Sequence, residues 1–140
     1  MIRKMEPCHL DRVMQIWLDS NLDAHNFVPG KYWEENAGVV REQLLQAEVY
    51  VYQEEGAVLG FAGLQNHYLA GIFVKKGARS RGIGKELLSY IKSLYPDICL
   101  NVYKKNERAA DFYRREGFKI VSENIDKDTG ERELTMVWEH

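Results

Sequence analysis

The sequence has too few cysteines to build a disulfide framework or a structural zinc site. Its two cysteines, Cys8 and Cys99, lie far apart and show none of the short spacings of metal-binding thiols. Disulfides form mainly in oxidising compartments, so this composition is typical of the cytoplasm. We therefore expect two free thiols, no bound metal and a cytoplasmic location.

The sequence also lacks long apolar runs and a strong charge of either sign. No stretch approaches the roughly eighteen apolar residues that span a membrane, and Met1–Glu6 lacks the apolar core of a signal peptide. The formal net charge is −2, so no excess of basic side chains is available to attract nucleic acid. We expect a protein that binds neither a membrane nor nucleic acid.

Low-complexity segments, internal repeats and proline-rich linkers are missing as well, with only three prolines in the chain. The 140 residues, 45% apolar and 29% charged, have the composition of a globular protein. We expect one domain over residues 1–140, large enough for a substantial core. The sequence leaves open whether it is a monomer or a homodimer.

Apolar periodicity predicts an alternation of strands and helices. Their order, β-α-α-β-β-β-α-β-α-β-β, is typical of an α/β fold in which a mixed central sheet carries helices on both faces. A loop is predicted between the first two helices, over 21–30. Helices are predicted over 9–20, 32–46, 83 to the residue before Pro96, and 107–116, and strands over 2–5, 48–52, 58–64, 68–74, 98–103, 118–124 and 131–138.

A turn that contains two glycines joins the strand over 68–74 to the helix that begins near residue 83. Unpaired backbone N–H groups and the positive end of the helix dipole meet at such a turn, which favours an anion such as phosphate. Glycine lets a ligand approach the backbone because it has no Cβ, although turn glycines also serve packing alone. The stretch from Val74 to Lys85 is basic and contains no acid. The turn consists of Arg79, Ser80, Arg81, Gly82, Ile83, Gly84 and Lys85.

Two motifs, in this order, resemble those of the GNAT superfamily of N-acetyltransferases. Arg79–Gly84 is similar to the family's Arg/Gln-x-x-Gly-x-Gly/Ala acetyl-CoA motif. Asn106–Phe118 is similar to its Asn-x-x-Ala-x-x-Phe-Tyr-x-x-x-Gly-Phe segment. The resemblance implies the GNAT fold over essentially the whole chain, acetyl-CoA as the donor and an amine as the acceptor.

The resemblance also implies how acetyl-CoA binds. Backbone N–H groups of the glycine turn would hold its pyrophosphate. The pantetheine arm would pair with the strand over 68–74, where two parallel strands of the family's fold splay apart, and a backbone N–H near Ile72 would polarise the thioester carbonyl. The implied acetyl-CoA contacts are Ile72, Phe73, Val74, Arg79, Ser80, Arg81, Gly82, Ile83, Gly84, Lys85, Asn106 and Tyr113.

Two residues of the second motif carry implied roles in the reaction. Tyr113 occupies the family's general-acid position, where a phenol with a pKa of about 10 can protonate the departing sulfur. The other interpretation is that Tyr113 packs against the sheet like Phe112. Asn106 matches the family's asparagine near the CoA arm, and it also suits the N-cap of the following helix.

The base that deprotonates the amine is left open by the sequence. An alkyl ammonium group has a pKa of about 10.4, so it must lose a proton before it attacks. Many family members carry a glutamate on the central strand, but Tyr68–Val74 contains no carboxylate. The candidates are His67, just before that strand, His25, in the loop between the first two helices, and a chain of waters.

The family places acceptor recognition in the loop between the first two helices. The resemblance therefore implies an amine pocket lined by His25, Phe27, Tyr32 and Trp33, although the three aromatic residues would equally anchor the helices to the core. The implied acceptor is a primary amine, with a protein lysine as the first hypothesis. The alternatives are a polyamine, amino acid or aminoglycoside, or a CoA-binding module without turnover.

Overall fold

A mixed sheet of seven strands, in the order β1-β2-β3-β4-β5-β7-β6, forms the centre of the molecule. The structure is a computed structural model that describes all 140 residues. Every neighbouring pair of strands is antiparallel except β4 and β5, which are parallel. The strands are β1 (Ile2–Lys4), β2 (Glu48–Glu54), β3 (Ala57–Gln65), β4 (Tyr68–Val74), β5 (Asp97–Tyr103), β6 (Lys119–Ile125) and β7 (Arg132–Glu139).

Four α-helices cover the two faces of this sheet. They are α1 (Leu10–Ala24), α2 (Gly30–Gln46), α3 (Ile83–Leu94) and α4 (Glu107–Arg115). Short 3-10 turns at Pro7–His9 and Lys76–Ala78 precede α1 and the glycine turn. No helix combines the length and the apolarity that are needed to cross a membrane.

The core has two parts, one on each face of the sheet. On one face, α3 buries apolar side chains at helical spacing, including Leu87 and Ile91, against strand residues such as Leu100. On the other face α1 and α2 bury side chains such as Val13 and Trp33 against β2 and β3. The predicted architecture, a mixed sheet between helices on both faces, is confirmed.

The first helix is longer than predicted. The loop over 21–30 was expected to begin at Asn21, but α1 continues to Ala24. Asn21 is buried, and its side-chain Nδ2 donates a hydrogen bond to the Trp17 carbonyl at 2.8 Å. That bond gives the polar side chain a partner inside the helix, so the predicted start of the loop was wrong.

The parallel strands β4 and β5 separate after a short contact. They pair only at Tyr68 with Cys99 and at Leu69 with Leu100. Beyond that point β4 stays paired with β3 as far as Val74, after an irregularity in register beside Gly71 that is typical of a β-bulge. Meanwhile β5 pairs with β7 along its whole length. The carboxyl halves of β4 and β5 therefore stand apart and open a cleft between them.

Candidate active site

A cleft of about 730 Å³ lies between the carboxyl end of β4, the start of α3, the start of α4 and the end of α1. Most of the predicted acetyl-CoA contacts line it, together with His25. Five residues predicted for the site are not among its lining residues: Phe27, Tyr32, Trp33, His67 and Arg81. The predicted residues that do line it are His25, Ile72, Phe73, Val74, Arg79, Ser80, Gly82, Ile83, Gly84, Lys85, Asn106 and Tyr113.

The glycine turn presents an uncapped helix N-terminus to the cleft. Gly82 is the N-cap of α3 and has a φ of +79°, in the left-handed region that favours glycine. No side chain caps the first turn of α3, so its N–H groups are free for a ligand. A Cβ on Gly82 would meet no atom within 4 Å, which means that backbone conformation, and not crowding, selects glycine here.

The two arginines of this turn differ in whether their side chains line the cleft. Arg79 lines the cleft and forms an ion pair with Asp23 of α1, with an Nη1–Oδ2 distance of 2.6 Å. That contact holds the pKa of the Asp23 carboxyl below its usual value. Arg81 instead donates two hydrogen bonds to the carboxylate of Glu54, at 2.7 and 2.8 Å, and its side chain lies outside the cleft.

Tyr113 projects from α4 into the cleft and is only 7% exposed. Its ring packs edge-on against Phe118, with ring centroids 5.4 Å apart. Burial raises the pKa of its phenol, and the backbone amide of Ile72 is close enough to the hydroxyl to oppose that rise in part. The hydroxyl therefore stays protonated at neutral pH and lies against the β4 edge that faces the opening.

His25 links the end of α1 to the start of α4 across the cleft. Its Nδ1 lies 2.9 Å from Asn21 Oδ1 and its Nε2 lies 3.0 Å from Asn106 Nδ2. Asn106 is the N-cap of α4, since its Oδ1 accepts a hydrogen bond from the Ala109 amide. Burial lowers the pKa of His25 to about 4, so the ring is neutral at pH 7 and both its nitrogens have partners.

Phe27, Tyr32 and Trp33 form an aromatic cluster beside the cleft. Phe27 and Trp33 lie 5.6 and 5.3 Å from the His25 ring, and Tyr32 lies 5.0 Å from Trp33, measured between ring centroids. Tyr103 of β5 joins them at 4.9 Å from His25. The cluster packs α1 and α2 onto β5 and holds the His25 ring in place.

His67 lies apart from these residues, in the turn that precedes β4. Its side chain is 57% exposed, and its Nδ1 is 2.7 Å from a carboxylate oxygen of Asp97. It lies at the amino end of β4, whereas the cleft opens at the carboxyl end. The structure therefore does not bring His67 together with Tyr113.

Several charged residues that were not predicted as site residues also line the cleft. Arg108 and Arg115 contribute positive charge from the second motif, Lys105 adds to it from just before that motif, and Asp23 pairs with Arg79. Arg108 and Arg115 are seven residues apart, so they share one face of α4. This spacing could have predicted from the sequence that Arg108 and Arg115 lie on one face of a helix. No sequence pattern predicted that the end of α1 lies beside the glycine turn.

Known proteins resemble this chain in both sequence and structure. Residues 46–120 match the Acetyltransferase (GNAT) domain family. The chain is 37% identical over 123 residues to peptidyl-lysine N-acetyltransferase YiaC of Escherichia coli (strain K12), which covers 86% of this chain and 84% of YiaC. The solution structure of apo-form YjaB from Escherichia coli superposes with a TM-score of 0.87 at 26% identity, over 99% of this chain and 96% of that chain. The structure of yncA from Salmonella typhimurium with its cofactor acetyl-CoA superposes with a TM-score of 0.70 at 15% identity, over 99% and 92%.

Proposed function

Because the chain belongs to the GNAT family and is an acetyl-CoA-dependent N-acetyltransferase, we propose that it acetylates the ε-amines of protein lysines. The lysine acceptor rests on similarity to YiaC, whose name is peptidyl-lysine N-acetyltransferase. The reaction chemistry rests on the cleft. Acetyl-CoA supplies an acetyl group activated as a thioester, and the residues of this chain bind it and move protons around it.

The residues of the cleft fit a ligand that carries a diphosphate. The uncapped start of α3 offers backbone N–H groups to an anion. Two acids, Asp23 and Glu107, stand against five basic side chains in the lining. Those basic residues are Arg79, Lys85, Lys105, Arg108 and Arg115.

One observation carries the assignment: the Tyr113 hydroxyl lies close to the Ile72 backbone amide, in the opening between β4 and β5. Acyl transfer from a thioester needs a hydrogen-bond donor at the carbonyl oxygen and an acid at the sulfur. In our proposal the Ile72 N–H is the donor at the carbonyl. As the C–N bond forms and the C–S bond breaks, Tyr113 gives its proton to the sulfur, the nitrogen loses its second proton to water, and Tyr113 takes a proton back from water. The raised pKa of Tyr113 keeps its hydroxyl protonated before each turnover.

The proton on the incoming ammonium leaves through water in our proposal. His25 has both ring nitrogens engaged and a pKa of about 4, so it is a poor proton acceptor at pH 7. His67 is outside the cleft and paired with Asp97. The strand β4 contains no Asp or Glu that could accept the proton. The first proton of the ammonium therefore passes to solvent before attack.

We expect His67→Ala to leave the rate–pH profile of acetyl transfer almost unchanged. Because the imidazole lies outside the cleft, removing it should change kcat/KM by less than about twofold, which is the size of an ordinary surface substitution. The measurement is kcat/KM for a lysine peptide between pH 6 and 9, with the unmodified protein alongside. Loss of the acidic limb of the profile would identify His67 as the base and contradict the water route.

A thiol-release assay with acetyl-CoA tests the lysine acceptor. The acceptors are lysine peptides with blocked N-termini, matched peptides with arginine in place of lysine, polyamines, amino acids and aminoglycosides. We expect turnover with the lysine peptides alone and an added acetyl group on the ε-amine by mass spectrometry. Turnover confined to the small amines would contradict the lysine assignment. No turnover at all, with tight CoA binding by calorimetry, would favour a binding module.

A further inference from the structure

Glu133 is a carboxylate on β7, level with the carboxyl end of β5 and three residues beyond the Leu69–Leu100 pair at which β4 and β5 separate. Glu133 pairs with Tyr103 of β5 on one side and with Asn124 of β6 on the other. Residues opposite each other in antiparallel strands point to the same face of the sheet. The Tyr103 ring contacts His25, which lines the cleft, so Glu133 stands on the cleft's α1–α2 side.

Three tyrosines and one acid are the neighbours of Glu133, and they come from three elements and one turn. Tyr32 comes from α2, Tyr68 from β4 and Tyr103 from β5, while Asp126 directly follows β6. The Tyr68 hydroxyl accepts a hydrogen bond from Asn101 at 3.3 Å, and Asn101 in turn accepts one from Thr135, two residues from Glu133 on β7. Burial raises the pKa of both Tyr32 and Tyr68, and the charge of Glu133 adds to the rise. Tyr103 donates a hydrogen bond to Asp126 at 2.7 Å. All three tyrosines are partly exposed, so this surface is open to a ligand.

Glu133 has no partner within the protein, although the acids around it do. Asp126 accepts the Tyr103 hydrogen bond, and Glu131 forms an ion pair with Lys105 at 3.0 Å. Glu133 makes no ion pair and accepts no side-chain hydrogen bond. Burial, and then the charge of Asp126, raise its pKa. A partly buried carboxylate without a partner is costly, and a cationic ligand would remove that cost.

We propose that Glu133 receives the ammonium group of the acceptor lysine. The rings of Tyr32, Tyr68 and Tyr103 flank the aliphatic part of the lysine side chain, whose methylenes pack on aromatic surface while the charged end reaches the carboxylate. Glu133 thereby selects a cationic amine and directs it towards the opening between β4 and β5. This inference deepens the proposed lysine acetylation and rests on it.

A binding titration tests this contact without requiring turnover. Nα-acetyl-lysine methylamide is titrated into the CoA-loaded protein, and backbone amide chemical shifts are followed by NMR. We expect shifts around Tyr68 and Glu133 and a Kd about tenfold higher for Glu133→Gln, because the variant keeps the shape and loses the charge. The matched control Glu139→Gln, on the same strand at its far end, should bind like the unmodified protein.

A second ligand separates charge recognition from packing. The norleucine analogue keeps the aliphatic chain and lacks the ammonium group, so its affinity should be the same for the protein and for Glu133→Gln. An equal Kd for the lysine ligand in both proteins, or shifts confined to residues away from Glu133, would overturn the proposal. A lysine ligand that binds through Glu133 but is never acetylated in the thiol-release assay would contradict the proposed function and leave the Glu133 contact standing.

Discussion

Tyr113→Phe is expected to lower kcat for acetyl transfer by about 100- to 1000-fold, the usual contribution of a positioned acid. The change removes only the hydroxyl, which has no hydrogen-bonded side-chain partner and lies beside the Ile72 amide in the cleft. The ring keeps its packing on Phe118, so acetyl-CoA affinity should change by less than about threefold. Stopped-flow single-turnover rates and calorimetric titration with CoA measure the two effects separately.

Tyr90→Phe is the matched control for this variant, because Tyr90 is a partly exposed tyrosine on α3 outside the cleft. It should leave both quantities unchanged. The raised pKa of Tyr113 adds a test, since the phenol should stay protonated and the rate should not fall between pH 7 and 9 through its ionisation. Parallel losses of rate and CoA affinity in Tyr113→Phe would show that Tyr113 is a packing residue.

Gly82→Glu is expected to weaken acetyl-CoA binding by at least about 100-fold, or about 2.8 kcal/mol. The new carboxylate would lie at the start of α3, beside the unpaired N–H groups that bind an anion. It would repel the diphosphate of acetyl-CoA. The side chain has room in the free protein, since a Cβ there meets nothing within 4 Å. The protein should therefore fold, with a cost of about 1–2 kcal/mol for the left-handed backbone.

Gly82→Ala separates that backbone strain from the added charge. It carries the same strain at a φ of +79° but no carboxylate, so its CoA affinity should fall by less than about fivefold. Thermal unfolding of both variants should show similar losses of stability. A CoA affinity for Gly82→Glu equal to that of the unmodified protein would remove the glycine turn from the diphosphate site.

Local periodicity was enough to predict the layers of the fold. The helical spacing of Ile83, Leu87, Leu88, Ile91 and Leu94 predicted α3. The first four side chains are no more than 2% exposed, whereas Leu94, at the end of the helix, is 44% exposed. The glycine turn and the Asn106 cap are also local features, because each depends on residues a few positions away. The structure gathers most residues of the two motifs into one cleft.

The parts that the sequence could not predict depend on contacts between distant residues. The separation of β4 from β5 follows from how far each pairs with its other neighbour. Arg81 leaves the cleft because Glu54, 27 residues earlier, binds it. Burial keeps His25 neutral, and its Nε2 is occupied because Asn106, 81 residues later, lies 3.0 Å from it. No periodicity or motif spacing predicts contacts between residues so far apart in the sequence. The surface around Glu133 also depends on such contacts, so the sequence did not predict it.

A bisubstrate ligand tests the central claim, which is that the cleft binds acetyl-CoA and a protein lysine at the same time, with the ε-amine next to the thioester. The ligand joins CoA sulfur to the ε-amine of a lysine peptide through an acetyl bridge, and the matched control joins CoA to a polyamine in the same way. We predict that the lysine conjugate competes with acetyl-CoA and binds at least about 100-fold more tightly than CoA alone, because the second binding event is intramolecular. The polyamine conjugate should gain much less. A lysine conjugate that binds no more tightly than CoA would contradict the account.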